Sequence, residues 1–193
     1  MPRPPRLVVA NAIYHARSRG SNGYRLFFED SDYREFLLQL GTIAERYAWR
    51  VYAYCLMPNH NHLLLRVPDC GLSEGMRDLN GGFSRRTSAK YGRIAHLFKN
   101  RFGERMVHDD DDFTHVARYI ALNPVEAGIC DHPRKWRWSS YRATAGLEPE
   151  PAWLAVDELL GHFRRFEPKQ PRLGYMRFVD KGIPEVSDTV SGT

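Results

Sequence analysis

The feature that most constrains this chain is an abrupt change of hydrophobic period near its first third. Over residues 32–47 the apolar positions Tyr33, Phe36, Leu37, Leu40, Ile43, Ala44 and Tyr47 recur at three and four, the spacing of one helical face. Asp32 and Glu35 are placed as a capping box. Directly afterwards, residues 49–56 and 60–67 read as two strands joined by a turn at Pro58-Asn59. Residues 12–17 predict an earlier strand, left through the turn-rich run Arg19-Gly20-Ser21-Asn22-Gly23. A second helix is expected from Ser73, as its cap, toward Tyr91, with Leu72, Met76, Leu79 and Phe83 on one face. Gly81-Gly82 lies inside it, and each glycine costs about 1 kcal/mol relative to alanine, so a bend or weak point is expected there. Residues 96–107 read as a strand or irregular hairpin. Asp109 to Asp112 then open a third helix ending near Asn123, where four acids complement the helix dipole better than they make a magnesium site. The order β-α-β-β-α-β-α contains a split β-α-β unit and predicts an α+β, ferredoxin/RRM-like sandwich, an antiparallel sheet with helices on one face.

The 193 residues, 42% hydrophobic and 26% charged, suit one domain with a tail. Residues 1–146 are expected to form that domain, 147–182 an extension with one short helix around 153–166, and 183–193 a disordered tail. No segment approaches the roughly 18 uninterrupted apolar residues of a membrane span, and the N-terminal apolar run is too short for a signal peptide. Cys55, Cys70 and Cys130 are an odd number without metal-site or redox spacing, which fits reduced thiols and a cytoplasmic location.

The chemistry concentrates in two places. His60 and His62 are two apart on a strand, so they share a face at about 6.5–7 Å and can hold one ion between them. Tyr119 and Asn123 are four apart on the third helix, hence stacked on one face, with Pro124 expected to end or kink the helix at Asn123. The alternative is that Tyr119 packs in the core and Asn123 caps the helix. His115, one turn before Tyr119, is a spare ligand or general base candidate.

The blocks "YCLMPNHNHLLL", "GRIAHLFKNRF", "RYIALNPVEAGI" and "WRWSSY", in this order and at these separations, resemble the REP-associated tyrosine transposases, single-tyrosine HUH-type enzymes of bacteria. The resemblance runs from about residue 5 to about residue 145. It implies a divalent metal, Mg²⁺ or Mn²⁺, on His60 and His62 with Asn123 completing the site, and Tyr119 as nucleophile. It further implies nicking and joining of single-stranded, hairpin-forming repetitive DNA through a 5′-phosphotyrosine. Two positions depart from the family pattern. Asn61 stands where a hydrophobic residue is usual, and Gly81-Gly82 replaces a stretch of better helix formers.

The net charge of +5 is unevenly spread: between Arg77 and Arg105 eight basic residues (Arg77, Arg85, Arg86, Lys90, Arg93, Lys99, Arg101, Arg105) face two acidic ones. Such a span can track a DNA backbone, while Arg17, Arg19 and Asn22 are placed to read unpaired bases. Trp136, Trp138 and Tyr141, among Arg134, Lys135, Arg137 and Arg142, can stack on bases or belong to the core. A monomer is expected, with a dimer as the alternative. A competing function is a non-catalytic nucleic-acid-binding module on the same sheet, which requires exposed aromatics on the central strands. A His-x-His hydrolase barrel needs roughly 250 residues, more than this chain has.

Overall fold

The computed structural model describes residues 9–69, 71–92 and 96–184. Four strands, β1 (Ile13–Arg19), β2 (Arg50–Met57), β3 (His60–Arg66) and β4 (Gly103–Val107), form one sheet in the order β2-β3-β1-β4. All three pairings are antiparallel. Helices α1 (Asp30–Arg46) and α2 (Leu72–Tyr91) complete the split β-α-β arrangement expected from the period change. They pack together on one face, where Asn80 of α2 donates to Ser18 Oγ of β1 at 2.8 Å. Helix α3 (Asp110–Glu126) lies on the other face, with Phe113 edge-on to Tyr52 at 5.2 Å. The one-sided packing expected from sequence thus describes α1 and α2, and α3 adds a second layer. A bulge between Val51 and Ala53 leaves Tyr52 outside the regular ladder, and its ring meets α3.

Local signals set most boundaries within two or three residues. Helix α1 starts earlier than expected because Glu29, not Asp32, is the cap: its side chain receives the Asp32 N–H while Asp32 Oδ2 accepts the Glu29 N–H at 3.2 Å. The acidic run caps α3 through Asp109, whose Oδ1 accepts from the Asp112 N–H at 2.8 Å. Helix α2 begins at Gly71 with no side-chain cap, so Ser73 does not serve as one.

Neither expected weak point ends its helix. Helix α2 runs unbroken through Gly81-Gly82, and Gly82 has a tertiary reason: a Cβ there would collide with the Gln39 amide of α1, which donates to the Asp78 and Leu79 carbonyls at 3.2 Å each. Helix α3 continues past Pro124 to Glu126, its last turn closed by Ala127 N–H to Asn123 C=O at 3.0 Å. A proline removes its own N–H bond and crowds the carbonyl four residues back, yet the turn beyond it is still closed by the Asn123 carbonyl.

Beyond α3, the short helices α4 (Tyr141–Thr144) and α5 (Val156–Gly161) and the longer α6 (Pro171–Asp180) wrap the open side of the bundle. Helix α6 was not anticipated from sequence. Its Tyr175 is buried against Phe163 and Tyr141, and Val179 is buried beside them in the core. Trp138 stacks on Tyr33 at 4.5 Å and Tyr141 is buried, so these rings belong to the core and are not a base-stacking platform. Among the described residues no helix is long and apolar enough to cross a membrane. Cys70, Arg93 and residues 185–193, which carried sequence expectations, lie outside the described residues.

Candidate active site

Strand register builds the site. In antiparallel pairing, directly opposed residues share a face, and β1 sets Arg19 opposite His60, Arg17 opposite His62 and His15 opposite Leu64. That face of β1 and β3 looks toward α3. The intervening Asn61 points the other way and is fully buried, with Leu56 opposite it on β2. Strand alternation therefore does what the His-x-His spacing predicts, and it places the unusual middle residue away from the histidines.

The ring of His60 stands edge-on to that of His62 at 5.1 Å between centroids. Asn123, buried on α3, brings Oδ1 to 2.9 Å from His60 Nε2. Tyr119, one turn earlier, is edge-on to His62 at 5.4 Å and remains 40% exposed, so its hydroxyl-bearing ring is not a core ring. His60, His62 and Tyr119, together with Arg17, Arg19, Lys99 and Arg101, border a cleft of about 600 Å³. The cleft wall is held in place by backbone bonds from the 96–102 segment to the end of β1, Ser21 N–H to Leu97 C=O at 2.9 Å and Lys99 N–H to Arg19 C=O at 2.9 Å.

The ring nitrogens are set by their neighbours. Asn59 donates its amide N–H to the Gly23 carbonyl at 3.4 Å, which turns Asn59 Oδ1 to His60 Nδ1 at 2.7 Å. His62 Nδ1 lies 2.7 Å from His15 Nε2. Burial pushes all three imidazoles toward the neutral form, His62 to about 2 with help from the neighbouring His15 and His60, and His15 to about 4 with help from Arg105 and Arg17. For His60, burial outweighs the opposing bond to Asn123, and its pKa is lowered too.

These observations test whether a divalent ion fits. A neutral imidazole has one ring proton, and in the tautomer that gives it to Asn59 Oδ1 the Nε2 lone pair of His60 is left beside the Asn123 oxygen. In that tautomer two lone-pair atoms converge 2.9 Å apart, as two ligands of one cation would. His60, His62 and Asn123 are thus a suitable donor set, two imidazoles and an amide. Among the described residues no three His, Cys, Asp or Glu side chains form a metal cluster, because the third donor here is an amide.

The remaining sequence candidates divide. Arg17, Arg19, Lys99 and Arg101 border the cleft, and none is held in an ion pair among the described residues. Arg77 lines an adjoining groove of about 650 Å³ that shares Lys99 and Arg101 with the cleft. Asn22 is exposed in the turn beside Asn59, with a left-handed φ of 50°. Arg85 is exposed on α2. The others are spent inside the molecule: Arg86 pairs with Glu35, Lys90 with Glu29 and with Asp32 at 2.8 Å, and Arg105 bidentately with Asp112 at 2.7 and 2.8 Å. His115 is exposed, with its ring 5.6 Å from Phe178 of α6 and away from the histidine pair. Sequence reasoning missed His15 and Asn59. Alternation along β1 puts His15 on the same face as Arg17, but only the pairing of β1 with β3 brings it to His62. No exposed aromatic lies on β1 or β3, as a base-stacking module would need.

Comparison with known proteins places the chain in a family. A REP-associated tyrosine transposase of Escherichia coli K12 is 25% identical over 105 residues, covering 52% of this chain and 61% of its own. A Haemophilus influenzae protein carrying the same family name is 28% identical over 134 residues, covering 63% of this chain and 76% of its own. Among solved structures, a REP-associated tyrosine transposase bound to a REP hairpin superposes with a TM-score of 0.66 at 19% identity, covering 77% of this chain and 89% of that one, a likeness of fold. The family model described as "Transposase IS200 like" matches residues 8–123, which include His60, His62, Tyr119 and Asn123. That match spans more than half of the chain, and the protein belongs to the IS200-like transposase family.

Proposed function

We propose that the protein cuts and rejoins single-stranded, hairpin-forming repetitive DNA, with Tyr119 as nucleophile and with His60, His62 and Asn123 as ligands of Mg²⁺ or Mn²⁺. The observation that carries this is the approach of Asn123 Oδ1 to 2.9 Å from Nε2 of His60, a cleft residue, with the exposed Tyr119 ring edge-on to His62 in the same cleft. When bound, a divalent ion there polarises a phosphate oxygen and offsets the charge that builds up at phosphorus. Arg17, Arg19, Lys99 and Arg101 hold the flanking phosphates, which fixes the strand relative to Tyr119.

The Tyr119 oxygen forms a bond to phosphorus while the bond from phosphorus to the 3′-oxygen breaks. The phenolic proton passes to solvent and the departing 3′-oxygen takes one up, leaving a 5′-phosphotyrosine and a free 3′-hydroxyl. One phosphate ester replaces another, so a 3′-hydroxyl can reverse the step and join strands. A protonated phenol is a weak nucleophile, which is why positioning and charge compensation matter here. The DNA hairpin is suggested by the relatives, and the four cations at the cleft, without ion-pair partners among the described residues, suit any single strand.

The test is incubation with labelled single-stranded DNA from the repeats flanking its own gene, with Mg²⁺ or Mn²⁺, followed by denaturing electrophoresis. A covalent protein–DNA band is expected, lost with chelator, in Tyr119→Phe and in His60→Ala/His62→Ala. Persistence of the band in Tyr119→Phe would overturn the nucleophile; persistence in chelator would overturn the metal.

A further inference from the structure

We infer that His15 is a positioning residue for the candidate metal centre: by accepting the Nδ1–H of His62 at its own Nε2, it holds His62 in the tautomer whose Nε2 lone pair faces the cleft. The inference rests on the metal reading above for its consequence, but its structural basis is separate.

Register places the two rings. His15 opposes Leu64, so His62, two residues away on β3, is its diagonal neighbour on the same sheet face, within reach of an aromatic side chain. The rings are 28° from coplanar with centroids 5.0 Å apart, the separation needed for a 2.7 Å nitrogen-to-nitrogen contact between rings lying edge to edge. One proton occupies that contact when both rings are neutral. If His15 donates it, the proton of His62 sits on Nε2 and blocks ligation. If His62 donates it, Nε2 is bare.

His60 has the same arrangement. Its Nδ1 lies 2.7 Å from the oxygen of Asn59, and the tautomer that donates there leaves Nε2 free beside Asn123. Each candidate ligand therefore has one outer partner on Nδ1, an amide oxygen for His60 and an imidazole nitrogen for His62. Metal-binding histidines characteristically donate their second ring N–H to such a partner, which fixes ring orientation and raises ligand basicity. Asn59 is next to His60 in sequence, whereas His15 reaches His62 only through the sheet.

The experiment uses the full chain without DNA. In ¹⁵N-histidine NMR of metal-free protein, His62 should be the Nδ1–H tautomer, and in His15→Phe, which retains a ring but no acceptor, it should shift toward Nε2–H. Calorimetric titration with Mn²⁺ should show affinity about 10–100-fold weaker in His15→Phe. His15→Gln, whose amide oxygen can accept the same N–H, should recover most of it. A wild-type His62 carrying its proton on Nε2 overturns the inference whatever the variants do, as does His15→Phe binding Mn²⁺ like wild type. If the wild-type chain binds no Mn²⁺, the metal reading fails, and the tautomer measurement still decides the role of His15.

Discussion

Replacing Asn61 with valine tests the separation between the two faces of β3. Asn61 is fully buried, and neither its amide nitrogen nor its oxygen has a hydrogen-bond partner among the described residues. Burying an amide without a partner costs about 1–3 kcal/mol by protein mutational data. Leu56 opposes it on β2 and Leu63 follows on the same face of β3, while Ser18, which accepts from Asn80 at 2.8 Å, opposes it on β1. Valine removes the orphaned polar atoms, is close enough in size to limit overpacking, and has a higher strand preference. The expected gain is about 1–2 kcal/mol, which for a chain of this length raises Tm by about 2–8 °C. Urea unfolding followed by circular dichroism measures it, and the adduct assay on the same variant should be unchanged within about twofold, because position 61 faces away from His60 and His62. A loss of stability would refute the reasoning and point to buried water on Asn61, shared with the Asn80 oxygen, which also lacks a partner.

Two further outcomes follow from the packing of the helices and the charges at the cleft. Gly81→Ala should stabilise α2 by up to about 1 kcal/mol, since a Cβ there meets only Arg85 at 3.4 Å, whereas Gly82→Ala should be neutral or destabilising because it displaces the Gln39 amide; equal gains in thermal denaturation would contradict the packing described for α1 and α2. Single alanine substitutions at Arg17, Arg19, Lys99 or Arg101 should each reduce the salt dependence of single-stranded DNA binding by about 0.7 in the log–log slope for every phosphate no longer neutralised, while Arg86→Ala and Arg105→Ala should change it less, their charges being paired with Glu35 and Asp112; a reversed ranking in a salt titration would refute the division of the basic span.

The sheet, its order of elements and the His60/His62 pair were legible in the sequence because their signals are local. A helical period over residues 32–47 switches to strands at residue 49, and alternation alone puts His60 and His62 on one face and Asn61 on the other. The helical spacing of Tyr119 and Asn123 was equally local, and the resemblance of the surrounding blocks joined two distant segments into one candidate site. Where local reasoning failed, a tertiary contact outweighed a propensity. Gly82 reads as a weak point until Gln39 fills the notch it leaves, and Trp138 reads as a stacking platform until Tyr33 covers it.

The basic span shows the same limit in its charges. Eight cations between Arg77 and Arg105 look alike in a string of letters, yet Arg86, Lys90 and Arg105 are neutralised by carboxylates on α1 and α3, and Lys99 and Arg101 are left facing the cleft. Which cations remain available depends on which acids fold beside them, a property of pairs far apart in the chain. The sequence by itself determined the fold class, the candidate ligands and the candidate nucleophile, because periodicity and motif spacing act over a few residues. Only the tertiary structure decided that His15 sits on His62 Nδ1, since the bond exists solely where β1 pairs with β3, the two rings lying 47 positions apart in the chain.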